Sequence, residues 1–176
     1  MKLLDDVERY GFHMVRVGWS EADRAARPEW QDVPGWTYTI GFHVTFAAPE
    51  IVVFALPAET VKSILWDFAR TFADGTTFEV GRGYRGALES FGEGQVFQLE
   101  HVAPEWADEL FGFAEWFYKG DPFPVVSYHW PDSEGRFPWD PGVKGELRAA
   151  QPDLRQPPAA PGAPPPSFGS TQPRSQ

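Results

Sequence analysis

The 176-residue sequence contains no cysteine, which excludes every site that depends on sulfur. Disulfides, thiolate nucleophiles, zinc ribbons and iron–sulfur clusters all require that residue. Long apolar runs are missing as well, since no stretch reaches the ~18 to 20 apolar residues that cross a bilayer. The opening MKLLDDVERY carries two aspartates where a signal peptide would have its apolar segment. We therefore expect a cytoplasmic protein without a membrane partner.

Positive charge is also scarce. The 15 lysines and arginines stand against 25 aspartates and glutamates, which gives a net charge of -10. A chain with that balance repels phosphate backbones and anionic headgroups. The glycine-rich stretch GRGYRG lacks the spacing and the following Lys-Ser/Thr pair of a phosphate loop. Nucleic acid is therefore not an expected partner.

Aromatic residues, by contrast, are abundant. They make up 16% of the chain, with 15 phenylalanines and 8 tryptophans, and so provide large side chains for a core. A length of this order suits one domain, which we place at residues 1–151. Residues 152–176 are rich in proline, alanine and glycine and lack a repeating apolar face, so they predict a disordered tail. The proline-rich tail is itself a candidate for recognition by a partner.

The spacing of apolar residues predicts an α+β fold. Leu3, Val7 and Tyr10 mark a short N-terminal helix, and longer helical stripes run from Pro57 to Gly75 and from Pro104 to Gly120. Alternating or continuous apolar runs predict strands over residues 12–19, 36–42, 51–56, 96–102 and 123–130. We expect a mainly antiparallel sheet covered on one face by the two longer helices, together with the short N-terminal helix.

Chemistry-bearing side chains collect near the predicted strand ends. His43 follows one strand and His129 closes another, while Glu50, Asp132 and Asp140 lie in turns beside prolines. An acid in such a turn either caps the turn through its own backbone or faces a cleft, and capping is the more common role. No spacing of these residues matches a metal site, and no motif calls for a cofactor.

The segment after the last predicted strand holds a second aromatic group. Trp139 lies among tight turns, where it either forms an apolar wall for a ligand or closes the end of the core. Prolines fix the backbone on both sides of it, so this loop can hold side chains without help from a helix or strand.

Two stretches of the chain resemble a known family. Residues 38–57 read YTIGFHVTFAAPEIVVFALP and residues 130–142 read WPDSEGRFPWDPG. In order and spacing they resemble the signature blocks of the bacterial family called domain of unknown function 4262 (DUF4262), over roughly residues 3–151. The resemblance implies no activity, because that family is defined by its pattern. The positions it implies are Tyr38, Thr39, Gly41, Pro49, Glu50, Pro131, Asp132, Gly135, Phe137, Pro138, Trp139 and Asp140.

Two kinds of function fit these observations. The first hypothesis is a non-catalytic module that binds a small ligand or a protein, because no motif with obligatory chemistry is present. Its binding residues would be Tyr38, His43, Glu50, His129, Asp132, Trp139 and Asp140. The alternative is a small hydrolase or isomerase in which His43 acts with Glu50 or Asp132 as an acid–base pair. That alternative requires the histidine and an acid to lie within hydrogen-bonding reach.

Overall fold

Six strands form one sheet in the computed structural model of the chain, which describes residues 1–169. Along the sheet the order is β1-β2-β3-β6-β5-β4, and every neighbouring pair is antiparallel except β3 and β6, which are parallel. The mixed fold with a mostly antiparallel sheet was predicted. The strands are β1 (His13–Val17), β2 (Trp36–Ile40), β3 (Glu50–Phe54), β4 (Gly83–Arg85), β5 (Val96–His101) and β6 (Val125–His129).

Seven α-helices accompany the sheet in the described part of the chain. They are α1 (Lys2–Tyr10), α2 (Glu21–Ala26), α3 (Phe42–Phe46), α4 (Ala58–Ala73), α5 (Ala107–Leu110), α6 (Gly112–Tyr118) and α7 (Gly145–Ala150). Short 3-10 turns lie at Pro28–Trp30, Glu89–Phe91 and Pro104–Trp106. None of the helices within residues 1–169 is both long and apolar enough to span a membrane.

The prediction of a second long helix, from Pro104 to Gly120, is wrong. Residues 104–120 form a 3-10 turn and two short helices, α5 and α6, which are separated at Phe111. Phe111 has left the helical conformation, with φ at -128° and ψ at 38°, and its ring is buried edge-on against Tyr38 at 5.2 Å. Gly112, a poor helix former, follows directly. Burial of this one ring against the sheet therefore takes precedence over a continuous helix.

Helices cover both faces of the sheet rather than one. The side chains of α4 pack on one face around Phe68, Phe97 and Tyr128. On the opposite face lies a second core that includes Trp36 and residues of α5 and α6. The central strands β2, β3 and β6 are buried along their whole length, as expected for strands covered on both sides.

The segment after α7 also differs from the prediction of a disordered tail. Within residues 152–169, Leu154 and Phe168 are buried, at 1% and 2% exposure, and the segment lies against the second core. Hydrogen bonds from Trp30, Trp106 and Ala103 to backbone carbonyls of the segment add to these two apolar anchors. Proline lowers the entropy that an unfolded segment loses on ordering, which favours the ordered state. The remaining part of the predicted tail, residues 170–176, lies outside the described residues.

Candidate functional site

A cavity of about 950 Å³ opens on the face of the sheet that carries α5 and α6. Five aromatic side chains line it, which is the usual composition of a pocket for an organic ligand. They come from three parts of the chain, namely the end of β1, the strand β2 and the helix α6. The five are Trp19, Trp36, Tyr38, Phe113 and Trp116.

The floor of this aromatic cavity is held rigidly. The indole N–H of Trp36 donates to the carbonyl of Leu110 at 2.9 Å, and the backbone N–H of Phe113 donates to the Tyr38 hydroxyl at 3.2 Å. Burial raises the pKa of Tyr38 to about 12, so its hydroxyl stays protonated. Both bonds tie β2 to the break between α5 and α6.

The wall of the cavity, in contrast, faces solvent. Phe113 is 59% exposed and Trp116 is 54% exposed, on the same side of α6 at a spacing of three residues. Folding has left these two rings without cover. Large apolar side chains grouped at the edge of a pocket are a mark of a binding surface.

The rim of the cavity is mostly acidic. Asp23, Asp108 and Glu109 lie along it, with Arg27 as the positive side chain among its lining residues. Arg27 forms an ion pair with Glu109 at 3.4 Å, and Asp23 caps α2 through Ser20. Aromatic faces beside carboxylates make an environment that favours a cation.

Trp19 joins this rim from the other side. The guanidinium of Arg24 lies over its ring at 6.0 Å, so a cation already stacks on one of the cavity's aromatic side chains. The indole N–H of Trp19 is enclosed and has no hydrogen-bond partner among the described residues.

Glu50, a predicted site residue, is buried at the first turn of α3. Its carboxylate accepts hydrogen bonds from the backbone N–H groups of Gly41 at 3.0 Å, of Phe42 at 3.3 Å and of His43 at 3.1 Å. Thr39 and Tyr118 donate their hydroxyls to it as well. Burial first, and then the Glu50 carboxylate, raise the pKa of Tyr118, which keeps it a donor. Glu50 therefore acts as a helix cap with its oxygens fully engaged.

His43 lies on α3, and its ring is edge-on to Tyr118 at 5.9 Å. It lines a second cavity, of about 340 Å³, together with His101 and Pro104. The structure brings His43 close to Glu50 only through its backbone N–H. The two residues thus share a turn without an imidazole–carboxylate contact of the kind an acid–base pair needs.

Asp132 and Asp140 each close a tight turn after β6. Asp132 accepts from the backbone N–H groups of Glu134 and Arg136, both at 2.9 Å, and from the Arg136 guanidinium. The backbone hydrogen bond from Arg136 is the main reason why the pKa of Asp132 lies below its usual range. Asp140 accepts from the backbone N–H of Phe137 at 2.7 Å. Both acids cap their turns.

These turns lie at the far end of the sheet from Glu50. Glu50 opens β3 opposite Val125, the first residue of β6, whereas Asp132 follows the last residue of that strand. Four residue steps of β6 correspond to ~13 Å at the usual rise of a strand. The structure therefore does not bring together the two acids that were proposed to act with His43.

His129 is buried in a polar network on the face opposite α4. Ser127 Oγ lies 2.8 Å from its Nε2, and Gln151 Oε1 lies 3.2 Å from its Nδ1. Trp139 and Phe168 close over the imidazole, each with its ring centroid 5.4 Å away. Burial lowers the pKa of His129 to about 4, so the ring is neutral at pH 7. The Ser127 hydroxyl, the neutral His129 imidazole and the Gln151 amide thus form a chain of hydrogen bonds that is buried in the protein.

Of the five aromatic residues that line the cavity, only Tyr38 was among the predicted site residues. Phe113 lies within the single helix predicted from Pro104 to Gly120, but the chain breaks at Phe111 and the Phe113 ring is 59% exposed. Gln151 and Phe168 were missed because both contact His129 from distant parts of the chain. A signal for Phe168 did exist, since it is a lone large apolar residue in a proline-rich stretch.

Within residues 1–169, histidine, aspartate and glutamate form no group of three that could hold a metal ion. A family model described as Domain of unknown function (DUF4262) matches residues 6–144, which confirms the resemblance carried by the two signature blocks. No curated protein and no solved structure matches the chain.

Proposed function

The chain belongs to the DUF4262 family, and we propose that it is a non-catalytic binding module. Its ligand enters the aromatic cavity between β2 and α6. The ligand has an apolar or aromatic body and carries a cationic group, such as a substituted ammonium.

The observation that carries this proposal is the pair of uncovered rings, Phe113 and Trp116, at the edge of a cavity of about 950 Å³. That volume is in the range of pockets that enclose an organic small molecule. Full burial of a side chain such as phenylalanine contributes about 1.5 to 3 kcal/mol, and much of that free energy is not gained while the two rings stay in water. A ligand that covers them recovers part of that free energy.

Charge supports a cationic ligand. Asp108 and Glu109 lie at the cavity, and the chain carries a net charge of -10, which draws cations towards it. A cation over a tryptophan or tyrosine face gains about 0.5 to 2 kcal/mol, depending on how far it is desolvated.

The hydrolase or isomerase alternative has less support. Both oxygens of Glu50 already accept hydrogen bonds, and Asp132 caps a turn at the other end of β6. A general base needs an orienting partner and access to substrate. His43 has access, through the second cavity, but neither proposed acid orients its ring.

A titration with benzyltrimethylammonium tests the proposal, with benzenesulfonate as a probe of similar size and opposite charge. We expect saturable quenching of tryptophan fluorescence by the cation and none by the anion. Phe113→Ala should weaken binding of the cation at least tenfold, because it removes one wall of the cavity. Phe91→Ala, which changes another exposed phenylalanine outside this cavity, is the matched control.

Asp108→Asn tests the charge separately from the apolar wall. We expect weaker binding of the cation, with a smaller effect at high salt, because the carboxylate acts through a screened attraction. Equal binding of cation and anion, or unchanged binding in Phe113→Ala, would contradict the proposal.

A further inference from the structure

The second cavity, of about 340 Å³, is separate from the aromatic cavity. Phe111 lines the second cavity, and its ring packs edge-on at 5.2 Å against Tyr38, which lines the aromatic cavity. Among the described residues, none contributes to both linings. The contact between Phe111 and Tyr38 therefore lies between two sites that mutations can address one at a time.

The walls of the second cavity are apolar and partly aromatic. The rings of Phe111 and Phe123 contribute to them, together with three exposed prolines at positions 104, 122 and 124. The volume lies at the small end of the range of about 300 to 1,000 Å³ in which proteins enclose organic ligands. Aromatic walls favour another aromatic ring, which stacks on them or meets them edge-on. A ligand with a single aromatic ring therefore suits this space.

Two imidazoles are the polar side chains of this lining. His43 comes from α3, and His101 is the last residue of β5. His43 is half-buried and His101 is exposed. Within residues 1–169, neither ring forms a hydrogen bond with another residue. Their N–H groups are therefore available to a ligand in the cavity.

His43 is held in place from two sides. Its backbone N–H donates to the Glu50 carboxylate at 3.1 Å, and its ring lies edge-on to Tyr118 at 5.9 Å. Tyr118 in turn stacks on Phe123 of the cavity wall, with 4.7 Å between the ring centroids. The imidazole and the apolar wall thus belong to one packed cluster, which fixes the position of the donor relative to the wall.

The second cavity also differs from the aromatic cavity in charge. Its described lining contains no carboxylate, whereas Asp23, Asp108 and Glu109 line the aromatic cavity. An imidazole donates an N–H whether it is neutral or protonated, and its protonated form attracts an anion. A structural or catalytic metal site needs three or more protein ligands, which two histidines do not supply. Two N–H donors without a neighbouring acid match the two oxygens of a carboxylate.

We propose that the second cavity binds a small aromatic carboxylate. The ligand places its ring against Phe123 and the prolines, and its carboxylate accepts hydrogen bonds from His43 and His101. The net charge of -10 repels an anion over long range, so these two donors provide the selectivity for an acid. This site is additional to the aromatic cavity and does not depend on the cation that we propose to bind there.

A titration with 4-fluorophenylacetate, followed by fluorine NMR, tests the proposal on the full chain. We expect saturable binding at millimolar concentrations or below. The variant His43→Leu/His101→Leu keeps the apolar volume but removes both donors, so it should weaken binding at least tenfold. His13→Leu is the matched control, because His13 pairs with Asp6 outside this cavity. Phe113→Ala, which changes the aromatic cavity, should leave the affinity for the carboxylate unchanged.

The circular dichroism spectrum of each variant checks that it folds. No saturation by 4-fluorophenylacetate, or unchanged affinity in a folded His43→Leu/His101→Leu variant, would overturn the proposal. If that variant does not fold, the imidazole proton resonances of the wild type decide, since the chain has four histidines. Saturating 4-fluorophenylacetate should shift the resonances of His43 and His101 and leave those of His13 and His129 in place. Shifts confined to His13 or His129 would overturn the proposal.

Discussion

The two faces of the sheet are built in different ways. One face is closed by the 16-residue helix α4, whose Phe68 packs edge-on against Phe97 and whose Phe72 packs edge-on against Phe42. The other face is covered by short pieces, including α1, α5 and α6, and by the segment 152–169. A single long helix leaves little room, whereas several short pieces leave the aromatic cavity between them. The second face therefore holds the aromatic cavity in which we propose that a ligand binds.

Phe68→Ala should produce the largest loss and would show how far the α4 face dominates stability. Phe68 is fully buried, so its removal opens a cavity that the surrounding rings cannot fill. We expect the free energy of unfolding to fall by about 3 to 5 kcal/mol. Denaturation by urea measures the loss. A change below about 1 kcal/mol would mean that this face is not the main stabilising core.

Because of His129, the free energy of unfolding should depend on pH. Unfolded His129 binds a proton near pH 6.5, whereas the folded residue, with its pKa lowered to about 4 by burial, binds one only in more acidic solution. Between these values the unfolded chain holds more protons, so stability falls as the pH falls from 6.5 towards 4. The loss is on the order of 3 kcal/mol.

Urea unfolding of wild type and His129→Gln between pH 4 and pH 7.5 isolates this contribution, because other titrating groups are common to both proteins. The nearest charges that act on the imidazole, Asp153 and Arg155, are retained. The free energy of unfolding should depend less on pH in the variant. The same dependence in both proteins would mean that His129 is accessible to protons in the folded state.

Phe168→Ala should have a smaller effect than Phe68→Ala, although both rings are buried. A detached segment forfeits only its own docking energy, while the sheet and α4 remain. We expect a loss of about 1 to 2 kcal/mol, or roughly 2 to 8 °C in Tm. Phe91→Ala, at an exposed position, is the control for thermal unfolding. A loss as large as that of Phe68→Ala would make the segment part of the main core.

Phe113→Ala should have the smallest effect on stability, within about 0.5 kcal/mol, because its ring is mostly exposed. The same variant should lose affinity for a cationic ligand, so it separates binding from folding. Thermal unfolding of the variant without ligand measures the first effect. A drop in stability of more than about 1 kcal/mol would show that the ring supports the fold of α6.

The sequence alone predicted those helices and strands that are determined by residues close together in the chain. The stripe of α4 repeats over four turns, and the run from Glu50 to Phe54 is apolar enough to mark a central strand. The break at Phe111 could not be predicted, since it depends on the contact of that ring with Tyr38 across the sheet. Gln151 bonds His129 at a separation of 22 positions along the chain, which leaves no local signal.

The candidate site was predicted in part, for the same reason. Tyr38, which the resemblance to the signature blocks implied, lines the aromatic cavity. Glu50 and Asp132 were recognised as acids in turns, and their geometry favours the capping role over the cleft. Placing Trp19 and Trp116 at the cavity requires knowledge of the sheet order and of the direction of α6. The spacing of residues along the chain provides neither.

The parallel pairing of β3 with β6 has a consequence for how the chain folds. It joins two antiparallel halves, β1-β2-β3 and β6-β5-β4, whose strands are each connected within their own half. Glu50 and its partner Val125 are about 75 positions apart along the chain, so pairing β3 with β6 requires a long loop to close. Pairings of such long range form slowly. Each half should therefore acquire structure early, and the step that joins the two halves should set the folding rate. The same step brings β2 beneath the final positions of α5 and α6.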